Sequence, residues 1–221
     1  MAAFHPSPQD IPSEFAVFPL TGALLLPRGK LPLNIFEPRY KALVEDALGL
    51  GRMFAMIQPA SGEDQDTGIP DLYKIGCLGR LSSFSETDDG RFLISLTGVI
   101  RFRVATELAM RHGFRRVRAD FSSYWHDLDL SPQPIGVDRD ALMEALRTYF
   151  ARRNVDANWD AINRMPDETL IVTLSMVCPF EAAEKQALLE APSEADRAAT
   201  LLALLRMGAA GPDSPPGRAF S

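Results

Sequence analysis

Cysteine is scarce in this chain. Cys77 and Cys178 are its two cysteines and form no C-x-x-C, so the reading is of two reduced, largely buried thiols in a cytosolic protein. Histidine is thinly spread as well: His5, His112 and His126 lie far apart, whereas metal-ligating histidines normally come in clusters. The N-terminal stretch Met1 to Ser13 has neither a basic segment nor an apolar one, which excludes a secretory signal. Long hydrophobic runs are missing too. Leu170–Val177 is one of the longest, and a bilayer span takes about 20 residues. A cytoplasmic location with no membrane contact is expected. A surplus of positive charge is also lacking: 23 Lys and Arg stand against 29 Asp and Glu, a formal net charge of −6. That balance favours solubility and disfavours nucleic acid as the main partner, because polyanion binding draws on excess Lys and Arg.

Catalytic signatures are absent as well. Gly22 followed by Gly29-Lys30 has the wrong spacing for a phosphate-binding loop, and Leu31 stands where a Ser or Thr would hold Mg²⁺. There is no G-x-S-x-G and no H-E-x-x-H. The acidic run Glu63 to Gly68 begins like a calcium loop, but Gly68 comes one place early and Ile75 occupies the position of the bidentate Glu. No enzyme activity, cofactor or metal is expected.

What the chain does have is an ordinary globular composition, with 46% hydrophobic and 24% charged residues. A chain of this length buries roughly 70% of its unfolded surface without staples. Its texture changes once, near Ser131-Pro-Gln-Pro134. Before that point the pattern is mostly β. Phe15–Phe18 and Met53–Ile57 are short apolar runs, and Ile75–Ser85 and Arg91–Val104 flank the turn signal Asp88-Asp89-Gly90. Phe114–Phe121 alternates apolar with charged residues, as a half-solvated antiparallel strand does. One helix is expected from Pro38, with an apolar stripe of Leu43, Val44, Ala47 and Leu48, ending at Gly49 and Gly51.

After Pro134 the period becomes helical. Asp138 can cap a helix with the stripe Leu142, Leu146, Tyr149, Phe150. A turn over 156–163 follows, then a helix from Pro166-Asp-Glu168 that stops before Pro179, and another over Phe180–Leu189. The last helix opens on Ser193 and Asp196 and is expected to end at Arg206, with Gly208 beyond it. The expected division is a tail over 1–13, a β-rich part over 14–125, a helical bundle over 136–207 and a second tail over 208–221. The tails are expected because Pro-, Gly- and Ala-rich segments bury too little to offset their ordering entropy.

The sharpest motif is Phe18-Pro19-Leu20, then Leu26-Pro27, then Leu31-Pro-Leu-Asn-Ile-Phe-Glu-Pro-Arg-Tyr40. It resembles the opening of the N-terminal, substrate-binding domain of Lon proteases, of the form FPL…LfP…lPLhIFEpRY. Further matches follow in order. They are Ile75-Gly76-Cys77 through Arg80, Asp89-Gly90-Arg91…Leu96-Thr97-Gly98…Arg101-Phe102, and Glu184-Lys185-Gln186…Leu188-Leu189-Glu190 with Arg197. The resemblance implies an α+β fold, a PUA-like β pseudo-barrel followed by a helical bundle. In Lon an ATPase and a Ser–Lys protease follow. This sequence ends at Ser221, so the chain is expected to be a free-standing, non-enzymatic member. The implied role is recognition of unfolded or damaged protein segments, with a separate protease or chaperone as a further candidate partner.

Most motif residues have a folding role to fill: Pro19, Pro27 and Pro32 as strand ends, Leu20, Leu33 and Phe36 as barrel filling, Gly76 and Gly98 as bulges or close approaches. Arg39 is less easily placed, since a cation in the first turn of a helix opposes the macrodipole. It calls for a carboxylate such as Glu37, or for a role in binding. Arg39, Tyr40 and Lys41 are therefore candidate peptide contacts, a placement that also follows from the resemblance. Leu24 and Leu25, within Leu24-Leu25-Leu26, are a second candidate if they reach solvent. The alternative reading is RNA binding by a PUA-like barrel through Arg101, Arg103, Arg115, Arg116 and Arg118. The same arginines are also readable as a solvated hairpin face.

Overall fold

Strand pairing in the first half follows from where the apolar runs fall. In the computed structural model, which describes residues 6–63, 70–131 and 135–210, the chain divides into two units, Met1–Ser131 and Pro132–Ser221. The first unit contains β1 (Glu14–Pro19), β2 (Lys30–Ile35), α1 (Pro38–Gly49), β3 (Met53–Ile57), β4 (Pro59–Glu63), β5 (Pro70–Leu72), β6 (Ile75–Glu86), β7 (Phe92–Arg111) and β8 (Phe114–Asp120). All five residues of β3 are buried, the continuous apolar pattern of a strand covered on both faces. β3 lies between β6 and β1, parallel to β1 through Val17↔Ala55.

The sheet order is β2-β7-β6-β3-β1-β8, and β8 also pairs with β7. β1, β3, β6, β7 and β8 therefore form a closed ring, with β2 appended outside it on β7. One long strand makes this possible. The 20 residues of β7 pair at their start with β2 and β6 and at their end with β8. Closing a ring removes most sheet edges; β2 keeps a free edge along its whole length, and residues 82–86 of β6 and 104–111 of β7 pair on one side.

Leu24, Leu25 and Leu26, at 2%, 1% and 0% exposure, fill the interior alongside Phe54, Leu78 and Phe102. Burying a leucine of this kind is worth about 1.5–3 kcal/mol, which explains why the loop between β1 and β2 turns inward. Two glycines permit the close packing. A Cβ on Gly76 would stand 2.7 Å from the Phe102 ring and 2.8 Å from the Met56 carbonyl, and one on Gly98 would overlap the backbone at Leu26.

The second unit is helical: α2 (Arg139–Arg153), α3 (Trp159–Arg164), α4 (Asp167–Val177), α5 (Ala182–Glu190) and α6 (Glu194–Ala210). Asp138 caps α2 by accepting from the Ala141 N–H at 3.0 Å, and Ser193 Oγ accepts from the Asp196 N–H at 3.1 Å at the start of α6. The fold is α+β, as the sequence implied.

Several local expectations need correction. Pro32 does not end a strand but lies inside β2. The turn placed over 156–163 contains α3, whose N-cap Asn158 accepts from the Ala161 N–H. The last helix does not stop at Arg206. It runs through Gly208 because Tyr149 of α2 packs where a side chain would be; a Cβ there would lie 2.5 Å from the Tyr149 ring. At the N-terminus, a short 3₁₀ turn spans Pro8–Asp10, with Ser7 and Asp10 exchanging hydrogen bonds.

Candidate functional site

The motif Phe36-Glu37-Pro38-Arg39-Tyr40-Lys41 joins the end of β2 to the first turn of α1, where Pro38 takes the first helical position and Glu37 the N-cap. Arg39 has the carboxylate partner that its position demanded. Its Nε and Nη2 donate to Glu37 Oε2 at 3.0 and 2.9 Å, and its guanidinium lies 4.6 Å from the centre of the Tyr40 ring. The Arg39 side chain is still 52% exposed. Tyr40 is buried, its ring 4.1 Å from that of Phe18. Burial pushes the Tyr40 hydroxyl pKa above its ordinary value, although the Arg39 charge pulls the other way. Lys41 extends over Phe92, with Nζ 4.7 Å from the ring centre.

The five candidate peptide contacts therefore separate. Arg39 and Lys41 lie at the surface of one helical turn. Tyr40 props that turn against β1, and Leu24 and Leu25 are sealed in the interior, so the leucine loop offers no sticky edge. Phe36, expected to fill the barrel, instead points outward and is 65% exposed. Leu93 is 47% and Phe84 41% exposed. Leu93 lies opposite Asn34 across the β2–β7 ladder, and Phe84 pairs with Ile94 and meets Phe92 edge-to-face with ring centres 5.0 Å apart. Exposed Phe36 and Leu93 thus lie near Arg39 at the end of β2, whereas Phe84, paired with Ile94 and against Phe92, shares with Lys41 the opposite face of the sheet from Leu93. Phe36 is inside the quoted motif, but nothing in its composition distinguishes it from the buried Ile35.

The arginine set also separates. Arg101 is 2% exposed and forks onto Asp127: Nε reaches Oδ2 at 2.9 Å, Nη2 reaches Oδ1 at 2.8 Å, and its own backbone N–H donates to Oδ2. Burial alone would lower the Arg101 pKa, but the bonds and charge of Asp127 leave it above its ordinary value. This arginine is an internal brace and is unavailable to a nucleic acid. Arg115 forks onto Glu107 and donates to the Pro70 carbonyl. Arg116 and Arg118 share Glu14, at 3.8 and 2.7 Å, and Arg103 faces Asp120 across the β7–β8 ladder. Glu14, Asp120 and Asp127 fall outside the stretch from Arg101 to Arg118 or on its far side, so a reading along the chain undercounted the acids.

Among the described residues, no group of three or more His, Cys, Asp and Glu could hold a metal ion, and no helix is long and apolar enough to cross a membrane. The acidic run rejected as a calcium loop lies, from Asp64 on, outside the described residues.

Residues 14–207 match the family described as the ATP-dependent protease La (LON) substrate-binding domain. The chain belongs to this family. Among curated relatives, Lon protease 2 of Myxococcus xanthus is 28% identical over 112 residues, 51% of this chain and 13% of that protein. Lon protease of Cytophaga hutchinsonii is 22% identical over 204 residues, 89% of this chain and 24% of that protein. The chain thus spans a quarter or less of the length of these two Lon proteases. Among solved structures, the Lon N-terminal domain protein from Xanthomonas campestris superposes with a TM-score of 0.58 at 22% identity, covering 86% of this chain and 97% of that one. The N-terminal domain of Mycobacterium avium complex Lon protease gives 0.56 at 17% identity, covering 89% and 97%. These likenesses establish the fold, and the matched family is described as a substrate-binding domain.

Proposed function

We propose that this Lon-type domain is a non-catalytic recognition module for unfolded or damaged polypeptide segments, and that it captures them on Phe36 and Leu93, with the cations Arg39 and Lys41 in the adjoining turn of α1. The observation that carries this reading is the exposure of large apolar side chains beside cations at the end of β2. Folded proteins hide such side chains and unfolded segments display them, so mutual burial at about 25 cal/mol per Å² selects the unfolded state. Arg and aromatic residues are also the types that dominate binding hot spots. In this reading it acts alone or as an adaptor for a separate protease in cytoplasmic protein quality control, and the match to the Lon substrate-binding family supports it. The RNA alternative has less support, because Arg101 is internal and Arg115, Arg116 and Arg118 already hold carboxylates.

The test is fluorescence anisotropy with labelled, reduced and carboxymethylated lactalbumin, a permanently unfolded chain, at two salt concentrations. Saturable binding in the micromolar range, about −8 kcal/mol, is expected, with weak dependence on salt. Phe36→Ser with Leu93→Ser should weaken it by about tenfold or more, since two solvent-exposed side chains can change without disturbing the core. Arg39→Ala with Lys41→Ala should cost only a few-fold, as rim charges usually do. Undiminished binding by the folded Phe36/Leu93 variant would remove this site. Failure of the wild type to bind, together with salt-sensitive capture of single-stranded RNA, would favour the alternative.

A further inference from the structure

The free edge of β2 is a second place where an extended chain could attach, by adding a strand to the sheet. Its hydrogen-bonding phase can be fixed from three observations. The Thr87 N–H donates to the Arg91 carbonyl at 2.9 Å, so the odd residues of β7's first half turn their backbone groups toward β6 and the even ones toward β2. The register then makes Leu31↔Leu96, Leu33↔Ile94 and Ile35↔Phe92 the bonded pairs. The Gly98 N–H, donating to the Gly29 carbonyl at 2.8 Å, continues the same phase. Pro32, with no N–H to give, falls where β7 requires none. Lys30, Pro32 and Asn34 therefore direct their backbone groups away from the sheet.

We propose that this edge is closed to strand addition by Pro32, and that the partner held off is a second copy of this chain as well as any extended polypeptide. At the three outward positions an incoming antiparallel strand would find the carbonyls but lose the central N–H, and the proline ring stands in the path of its backbone. Lys30, one outward position away, adds a charge that must remain solvated. Proline and lysine are the residues by which natural sheets blunt an exposed edge. β2 is unpaired along its whole outer side, so the device sits on an edge that the topology leaves open. For polypeptide capture, and resting there on the reading above, the consequence is that recognition runs through side chains at Phe36 and Leu93 rather than through β2's backbone. The ligand class is then a segment rich in large apolar residues, whatever its strand propensity.

Amide exchange by NMR tests both halves. In the wild type the Lys30 and Asn34 amides should exchange freely from micromolar to millimolar protein, while those of Leu31, Leu33 and Ile35 are protected. Saturating reduced, carboxymethylated lactalbumin should leave the Lys30 and Asn34 rates unchanged within about twofold. Protection of these two by about tenfold or more, whether by raising the protein concentration or by adding lactalbumin, would show a strand seated on the edge and overturn the proposal. Pro32→Val should open it: sedimentation velocity is expected to show self-association about tenfold or more tighter than in the wild type. A folded Pro32→Val protein that associates no more than the wild type would equally overturn it. Should lactalbumin not bind at all, the polypeptide reading fails by itself, and the concentration series and Pro32→Val still decide whether the edge is closed.

Discussion

Replacing Asp127 with Ala should be the costliest single change outside the hydrocarbon core of the first unit. The side chain is 6% exposed and its partner Arg101 2%, and the carboxylate accepts from Arg101 Nε, Nη2 and the Arg101 backbone N–H. Its removal takes the paired carboxylate from a guanidinium that stays buried 4.8 Å from the Tyr124 ring centre. Breaking a buried pair in this way costs about 3–5 kcal/mol, far more than the net worth of the intact pair. For a protein of this size each kcal/mol moves Tm by roughly 2–4 °C, so the loss should be on the order of 10 °C. Trp125 lies two positions before Asp127 and packs on Phe121 at 5.4 Å. In a Trp159→Phe background its fluorescence alone reports the melting of this region. The double variant Arg101→Met, Asp127→Leu should recover most of the loss, because an apolar pair of similar volume needs no desolvation. By comparison, Arg118→Ala at an exposed pair should cost about 1 kcal/mol or less. A drop below about 1 kcal/mol for Asp127→Ala, or a double variant as unstable as the single one, would refute the account of the brace.

Two further outcomes are expected. Burial pushes the Cys178 thiol up to about 12 from an ordinary 9.0, so the folded state holds its proton more tightly than the unfolded one. That contribution is fully present below pH 9 and is lost as pH rises toward 12. The stability advantage of the wild type over Cys178→Ala should shrink across that window in urea titrations. A constant difference would contradict the assignment. Gly208→Ala tests close packing in the second unit. In a helix interior this change ordinarily gains about 0.5–1 kcal/mol, but a Cβ at Gly208 would stand 2.5 Å from the fully buried Tyr149 ring. Here the sign should reverse to a loss of about 1–3 kcal/mol by calorimetry, and a stabilised variant would show that the ring has room to move.

Features set within a turn or two of sequence were legible. Pro38 and Glu37 start α1, Asp138 caps α2, Asp89-Gly90 turns β6 into β7, and the Arg39–Glu37 pair is two residues apart. What escaped depended on pairings across long stretches of chain. Pro32 looks like punctuation until β2 is known to be an edge strand, the one kind that tolerates a proline facing outward. Phe36 and Leu24 are both large and apolar, and only the appended position of β2 and the inward turn of its preceding loop decide that one is exposed and the other sealed. The arginines looked like a patch because their acids, Glu14 and Asp127 among them, come from other parts of the chain. Of the proposed surface, the sequence offers the cations Arg39 and Lys41 as candidates, and it gives no sign that Phe36 and Leu93 are exposed.

The double use of β7 also sets an order of events. The ring closes only when β1 meets β8, where Glu14 and Arg118 are partners 104 residues apart. Bringing such distant ends together costs about 4 kcal/mol of chain entropy beyond the fixed cost of closing any loop. Long-range pairing of this kind slows folding, and β1 is made first while its partner is made last. During synthesis the apolar strand Phe15–Phe18 must wait, unpaired on its β8 side, until about a hundred more residues have emerged, at roughly 5–20 residues per second. A domain proposed to recognise unfolded chains therefore spends its first seconds as one.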